Sequence, residues 1–215
     1  MGKKVYFVTG IDTNVGKSYA TGFIAKKFIT EGYKTITQKF IQTGCVNFSE
    51  DIAIHRKIME LEDTDEDKNF LTMPEILSYP ASPHLAAKID KREIDLKKID
   101  NATQLLLEKY DRILLEGAGG IMVPITEEYL TIDYIAEKQY PLIFVTSGKL
   151  GSINHTLLSF EAIKKRNIQI EILAYNEFYG EGTEDPIIAN DTLNFINNIL
   201  KKEFPSAKIV KIPKI

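Results

Sequence analysis

Near the amino terminus, a lysine and a hydroxyl stand in the order that a phosphate-binding loop requires. Gly16, Lys17 and Ser18 follow an apolar run that begins at Val5. In a P-loop, backbone N–H groups cradle phosphate oxygens, the lysine reaches the β- and γ-phosphates, and the hydroxyl binds Mg²⁺. The strict pattern has glycine where this chain has Ile11, and the glycine lies one residue earlier. We expect nucleotide phosphates to bind here, the alternative being an ordinary strand–turn–helix.

Three oxygen-bearing side chains are candidate Mg²⁺ ligands, because Mg²⁺ prefers hard oxygen donors. Ser18 belongs to the loop. Glu116 follows the apolar run Arg112–Leu115 and opens a glycine-rich segment, where the backbone can approach an anion closely. Asp51 follows the Gly44–Ser49 loop and would supply the third oxygen. Taken alone, Asp51 is more typical of an ordinary acidic residue at a helix amino terminus than of a metal ligand.

A second lysine lies where a charge is unusual. Lys39 is within the apolar segment Thr35–Phe40, shortly before Thr43 and Gly44. A lysine near the end of a buried strand either extends its ammonium to solvent or serves a site. Because an anion-binding loop is expected nearby, we interpret Lys39 as a site residue.

Alternating apolar runs and helical periodicities would position these residues. Strands that are apolar on both faces and separated by helix-length segments indicate a parallel sheet covered by helices. Functional loops in such sheets cluster at the carboxyl ends of the strands. The sequence therefore predicts an α/β, P-loop NTPase-like fold with a mostly parallel sheet covered on both faces, as a single domain over residues 1–215. The predicted strands are Val5–Thr9, Thr35–Phe40, Arg112–Leu115, Leu142–Thr146, Ile168–Tyr175 and Lys208–Lys211.

Local patterns add detail to this outline. Ala20, Ile24 and Phe28 repeat at helical spacing and should face the sheet. The acidic stretch 60–67 lacks the glycine and ligand spacing of a calcium loop, so we interpret it as a solvated connection. We expect Asp191 to cap the last helix. The residues Gly180, Gly182 and Pro186 mark the loop before that helix.

Composition limits the classes of function. The net charge of -3 and the pI near 5.7 argue against nucleic-acid binding through a broad basic surface. Cys45 is the single cysteine, which excludes an intrachain disulfide and fits a reducing cytoplasm. No apolar run approaches the ~18 residues that span a bilayer. We expect a cytoplasmic protein with no nucleic-acid or membrane partner.

Taken together, the motifs resemble those of the dethiobiotin synthetase family. The phosphate loop, the Glu116–Gly120 loop and the Gly148–His155 segment are the specific part of this match, which is strong to about Asn176. The matching segments, in chain order, are Val8–Ser18, Lys39 with Thr43 and Gly44, Pro80–His84, Glu116–Gly120, Gly148–His155 and Asn176.

This resemblance implies a Mg²⁺- and ATP-dependent ligase of biotin biosynthesis. Its members close the ureido ring of dethiobiotin from 7,8-diaminononanoate, CO₂ (or bicarbonate) and ATP, through a carbamate and a carbamic–phosphoric anhydride. Such chemistry needs no protein nucleophile, so the protein would position the reactants and stabilise charge.

The resemblance also assigns roles to residues. Lys39 and Lys17 would be catalytic, Thr43 would contact the reacting end of the substrate, and Ser18, Asp51 and Glu116 would bind Mg²⁺. Lys149, Leu150, Gly151 and Asn154 would bind the distal carboxylate across the twofold interface of a homodimer, beside a helix that Ser152 would cap. The ATP site would comprise Thr13, Asn14, Val15, Gly16, Lys17, Ser18, Asp51, Glu116, Gly117, Ala118, Gly119 and Asn176, of which Asn176 would read adenine.

The chain departs from the family pattern at two places. Asn14 replaces an acidic residue of the loop, and the familiar continuation after Ile212 and Pro213 is missing. We expect weaker discrimination between nucleobases for the second reason. Among the histidines, we interpret His55 as a helix surface residue, and His84 and His155 as hydrogen-bonding residues of loops or interfaces.

Two other functions compete with this one. A cobyrinate-type amide synthase would normally carry a glutaminase domain with a paired cysteine and histidine, which this chain lacks. A nucleotide switch of the partitioning ATPase type would usually carry a second lysine early in the P-loop, and Gly10–Val15 contains none.

Overall fold

The computed structural model describes residues 2–177 and 185–214, and six of its strands form one parallel sheet. The strands are β1 (Lys4–Gly10), β2 (Thr35–Lys39), β3 (Gln42–Thr43), β4 (Ile76–Leu77), β5 (Arg112–Glu116), β6 (Leu142–Ser147), β7 (Ile170–Asn176) and β8 (Lys208–Ile212). The sheet order is β2-β5-β1-β6-β7-β8, and β3 pairs with β4 in a separate parallel ribbon. The predicted α/β architecture is confirmed.

Helices cover both faces of the sheet. They are α1 (Lys17–Thr30), α2 (Glu50–Met59), α3 (Asp65–Lys68), α4 (Pro83–Ile89), α5 (Leu96–Lys109), α6 (Thr131–Lys138), α7 (Ser152–Lys165) and α8 (Pro186–Glu203). Successive residues of a strand point to opposite faces, so Phe7 and Val8 belong to different apolar clusters. Ala20, Ile24 and Phe28 of α1 pack into the cluster of Val8, as predicted. No helix among the described residues combines the length and apolar character needed to span a membrane.

The strand register brings charged residues together at the carboxyl edge of the sheet. Lys39 at the end of β2 is the register partner of Glu116 at the end of β5. Glu116 is in turn the partner of Val8 on β1, which continues into the phosphate-binding loop. Because all three strands run in the same direction, their ends lie at one edge, where loops can form a site.

Two helix starts differ from the sequence interpretation. Asp185, not Asp191, caps α8 and accepts hydrogen bonds from the backbone N–H groups of Ile187 and Ile188. The helix starts earlier than expected because Pro186 fits its first turn. Gly151, not Ser152, precedes α7, in the left-handed conformation with φ of 89°. The predicted loop residues Gly180 and Gly182 lie outside the described residues.

The acidic stretch 60–67 is only partly the solvated connection that its composition indicated. Asp67 is 1% exposed and accepts two hydrogen bonds from the Arg56 guanidinium, at 2.8 and 2.7 Å. Burial alone would raise the pKa of Asp67, but the bonds from Arg56 outweigh burial and lower the pKa to about 2. Thr72 donates to the same carboxylate, while Arg56 also donates to Thr37 of β2. The pair therefore fixes α2 to α3 and to the sheet.

Substituting Asp67 should destabilise the fold strongly. Asp67→Asn leaves the buried guanidinium of Arg56 without a counter-charge, and breaking a buried pair from one side costs about 3–5 kcal/mol. Asp65→Asn, in the same short helix but with an 85% exposed side chain, should change the free energy of unfolding by no more than about 0.5 kcal/mol. Urea denaturation followed by circular dichroism measures both; equal stabilities of the two variants would contradict this assignment.

Candidate active site

A cavity of about 370 Å³ opens at the carboxyl edge of the sheet. It is bounded by the P-loop, the end of β2, the first turn of α2 and the glycine-rich loop after β5. Its lining includes most of the residues predicted for the ATP site, together with Lys39 and Thr43. The lining residues are Thr13, Asn14, Gly16, Lys17, Ser18, Tyr19, Lys39, Ile41, Gln42, Thr43, Asp51, Ile54, Glu116, Ala118, Gly119 and Asn176.

Two residues predicted for the ATP site lie behind this lining. The side chain of Val15 is buried in the apolar cluster beneath α1, and its carbonyl accepts a hydrogen bond of 3.0 Å from Asn176 Nδ2. Gly117 lies against the ring of Phe7, where a Cβ would be 2.8 Å from a ring carbon. Any contact that either residue makes with a bound ligand would therefore come from the backbone.

The P-loop depends on glycine at position 16. Gly16 has φ of 91°, a conformation that residues with a Cβ rarely adopt. A Cβ there would also lie 2.3 Å from Nδ2 of Asn176, which reaches across from the end of β7. Close approach of two chain segments, as well as the backbone angle, thus requires glycine.

Lys17 lies over its own loop. Its ammonium donates to the carbonyls of Asp12 and Thr13 at 2.8 and 2.9 Å, and the residue is only 5% exposed. Burial lowers the pKa of this ammonium to about 8, although the nearby charge of Glu116 opposes the shift. Partners with full negative charge, such as phosphate oxygens, would compensate the buried ammonium better than two carbonyls.

Lys39 is the centre of a buried charge network. Its ammonium lies 2.5 Å from Oδ2 of Asp51 and 2.9 Å from Oε1 of Glu116, and it is 3.3 Å from the carbonyl oxygen of Gly117. Burial alone would lower the pKa of Lys39, but the charges of Glu116 and Asp51 outweigh burial and raise it. The lysine interpreted as a site residue therefore remains a cation inside the protein.

Ser18, Asp51 and Glu116 converge as predicted. The hydroxyl of Ser18 is 2.6 Å from Oδ1 of Asp51 and 3.0 Å from Oε1 of Glu116. Asp51 also lies in the first turn of α2, after the cap residue Ser49. The position at a helix amino terminus is therefore confirmed, and the role as a Mg²⁺ ligand stays a prediction for a side chain that lines the cavity.

These three side chains offer the hard oxygen donors that a magnesium ion prefers. Octahedral Mg²⁺ with bonds of 2.0–2.1 Å separates neighbouring ligand oxygens by about 2.9 Å, and the two spacings around Ser18 are 2.6 and 3.0 Å. No group of three or more His, Cys, Asp and Glu side chains within residues 2–177 and 185–214 has the arrangement of a metal site. Hydroxyl, water or phosphate oxygens would therefore have to complete the ligand set.

His55 was misinterpreted as a surface residue. It is fully buried, and its Nε2 lies 2.7 Å from Oε2 of Glu116. The signal was available in the sequence, because Asp51 and His55 are four residues apart and so share one face of α2. If Asp51 reaches the site from this helix, His55 must lie one turn behind it.

The segment expected to bind a distal carboxylate lies apart from the main cavity. Lys149 and Leu150 line a second cavity of about 150 Å³ on the other side of the P-loop, which also includes His155. Gly151 and Asn154 are exposed at the start of α7 and line neither cavity. The Ser152 hydroxyl pairs with that of Ser147 at 3.0 Å instead of capping the helix.

Replacement of the loop glycine should impair nucleotide binding specifically. Gly16→Ala meets both the strained φ and the contact with Asn176, so we expect affinity for a fluorescent ATP analogue to fall on the order of tenfold, about 1.4 kcal/mol. Gly32→Ala is the matched control, because Gly32 has the same φ of 91° but no heavy atom within 4 Å of the added Cβ. It should lose about 1 kcal/mol of stability and keep its affinity. Equal affinities in both variants would contradict the role of Gly16.

Solved structures with similar folds are P-loop NTPases. A plasmid partition protein of Borrelia burgdorferi bound to AMPPNP aligns with a TM-score of 0.57 at 14% identity, covering 98% of this chain and 86% of that one. Chloroplast FtsY from Physcomitrella patens aligns with a TM-score of 0.55 at 12% identity, covering 100% and 60%. At these identities the similarity shows the fold alone.

Sequence comparison is more specific. A family model described as an AAA domain matches residues 4–202. A Pasteurella multocida protein named ATP-dependent dethiobiotin synthetase BioD 2 is 51% identical over 203 residues, which cover 94% of each chain. A Haemophilus influenzae protein of the same name is 56% identical over 175 residues, covering 81% of this chain and 92% of that one. The chain therefore belongs to the ATP-dependent dethiobiotin synthetase family.

Proposed function

We propose that this chain closes the ureido ring of dethiobiotin from 7,8-diaminononanoate, CO₂ and ATP, and that it does so as one ligase domain. One amine of the substrate takes up CO₂, forming a carbamate and releasing a proton. A carbamate oxygen then attacks the γ-phosphorus, and the bond to the bridging oxygen breaks to release ADP. The second amine attacks the carbonyl carbon of the resulting anhydride, loses its proton and expels phosphate.

The buried Lys39 ammonium is the observation that supports this reaction best. A carbamate and a triphosphate are both anionic, so their approach requires fixed positive charge. Lys39 lines the same cavity as Lys17, and the two lysines come from different strand ends. Held by Asp51 and Glu116 in a buried site, Lys39 stays charged on the cavity wall, where it can stabilise the transferred phosphoryl group.

Lys17 and the P-loop are assigned to the nucleotide. In this proposal the ammonium of Lys17 leaves the carbonyls of Asp12 and Thr13 and binds the β- and γ-phosphates, where its charge is better compensated. The backbone of residues 13–18 provides the phosphate cradle at the start of α1, whose dipole also favours anions. Asn176, at the far side of Gly16, is assigned to the adenine end.

Magnesium would be held by Ser18, Asp51 and Glu116, whose oxygens have the spacing described above. When bound there, Mg²⁺ would neutralise charge on the β- and γ-phosphates. Glu116 is suited to this role because, although burial opposes ionisation, the Lys39 ammonium and the contact with His55 hold its pKa well below the usual range. The residue is thus a carboxylate, and not a neutral acid, at neutral pH.

The remaining assignments concern the diamine. Thr43 lies on the cavity wall near Lys39 and is assigned to the reacting end. Lys149, Leu150, Gly151 and Asn154 are assigned to the distal carboxylate of a substrate bound mainly by the partner subunit of a homodimer. Their separation from the main cavity supports this arrangement, because Lys149 and Leu150 line a cavity on the other side of the P-loop, and Gly151 and Asn154 are exposed.

Removing the charge of Lys39 should impair turnover, and it should also lower the stability of the fold because Glu116 and Asp51 lose a buried counter-charge. Lys39→Met keeps the length of the side chain, and we expect dethiobiotin formation to fall on the order of a hundredfold or more. Lys34→Met, at an exposed position just before the same strand begins, should behave like the wild type. Mass spectrometry of the product measures both; near wild-type turnover of Lys39→Met would discard its role.

Diamine dependence separates this proposal from a nucleotide switch. With bicarbonate and ATP present, phosphate release should rise at least tenfold when 7,8-diaminononanoate is added, and dethiobiotin should form in equal amount. A partitioning-type ATPase, the kind of protein that one structural neighbour is, should release phosphate at the same rate with and without the diamine. Phosphate release that ignores the diamine, with no dethiobiotin by mass spectrometry, would refute the proposal.

A further inference from the structure

The two oxygens of the Glu116 carboxylate have different partners. Oε1 faces the cavity, where it accepts from the Lys39 ammonium at 2.9 Å and from the Ser18 hydroxyl at 3.0 Å. Oε2 faces away from the cavity and contacts Nε2 of His55 at 2.7 Å. Because an ionised carboxylate only accepts hydrogen bonds, Nε2 of His55 is the donor in this contact.

Packing alone does not account for a histidine at this position. His55 is fully buried in α2, and its other ring nitrogen, Nδ1, has no hydrogen-bond partner within the described part of the chain. An unsatisfied buried polar atom costs about 1–3 kcal/mol, which an apolar side chain of similar size would avoid. The contact with Glu116 is therefore the feature that distinguishes histidine from leucine here.

Lys39 and Ser18 cannot by themselves fix the orientation of Glu116 during a reaction cycle. Both also contact Asp51, and both are assigned to groups of the nucleotide or its metal. The terminal torsion of a glutamate is broad, so the carboxylate can rotate when these contacts change. His55 lies on the opposite side of the carboxylate from the cavity and would keep its contact throughout.

We infer that His55 is a positioning residue that holds Oε2 of Glu116, so that Oε1 alone is presented to the metal. This inference rests on the proposed function, in which Glu116 is a Mg²⁺ ligand. Hydrogen bonds behind metal-binding carboxylates orient them, and their loss typically costs 10–100-fold in metal affinity or activity. Asp51 and His55 lie on one face of α2, so a single helix supplies both a ligand and the support for a second ligand.

The test measures how much Mg²⁺ strengthens the binding of AMPPNP, a non-hydrolysable ATP analogue. Competition with a fluorescent nucleotide gives the affinity in Mg²⁺ and in EDTA, and the ratio of the two is the metal enhancement. We expect His55→Leu to reduce this ratio 10–100-fold, with unchanged affinity in EDTA. Glu116→Gln reports separately on the ligand itself and should remove most of the enhancement.

Two amide variants test whether the donating N–H group must lie at the position of Nε2, and they remain informative if His55→Leu does not fold. Gln carries its N–H group near the position of histidine Nε2, so His55→Gln should keep the enhancement within about threefold of the wild type. Asn is shorter, with its N–H group near the position of Nδ1, and His55→Asn should resemble His55→Leu. If His55→Leu does not fold, this pair decides the question, since both variants bury one amide.

The outcomes distinguish the assignment of Glu116 as a metal ligand from the positioning role of His55. If Glu116→Gln keeps the metal enhancement, the ligand assignment fails and the role of His55 fails with it. If Glu116→Gln loses the enhancement while His55→Leu keeps it, only the inference about His55 is overturned. Equal enhancement in His55→Gln and His55→Asn overturns it as well, because a role in packing alone does not depend on which atom carries the N–H group.

Discussion

Charge compensation at the carboxyl edge of the sheet is the constraint on which the site depends. Lys39 and Glu116 end neighbouring parallel strands in register, and neither side chain reaches bulk solvent. A buried charge is tolerated only when it is paired and hydrogen-bonded. The two residues therefore require each other, and Asp51 adds a second carboxylate at 2.5 Å. A buried cation on the cavity wall is a consequence of the same pairing.

Helix α2 connects this network to the rest of the protein. Its first turn presents Asp51, its second turn presents His55, and Arg56 fixes the helix through the buried pair with Asp67. Arg56 also contacts Thr37 on the strand that ends at Lys39. Displacement of α2 would thus move two groups that contact Lys39 or Glu116. The stability of the fold and the geometry of the candidate site therefore depend on the same helix.

Much of the fold and of the candidate site could be predicted. Apolar strands alternating with helical periodicities indicated a parallel sheet, and parallel strands place their ends at one edge, so Lys17, Lys39 and Glu116 were expected to meet. The predictions of burial were wrong where the periodicity is weak or where the composition of a segment is misleading. Asp67 belongs to a run of acidic residues, and nothing local distinguishes the one that meets Arg56. His55 was misplaced because the neighbour that buries it, Glu116, is 61 residues away in sequence.

The sequence by itself determined three things: the phosphate loop, which charged residues follow which predicted strands, and the family. All three depend on residue types at fixed local spacing. Tertiary structure alone decided which carboxylate oxygen faces the cavity, which acidic residue is buried, and that Lys149 and Leu150 line a different cavity from Lys39. Those properties depend on contacts between distant segments, and burial changes the energy of a charged or polar group in ways that local pattern does not record.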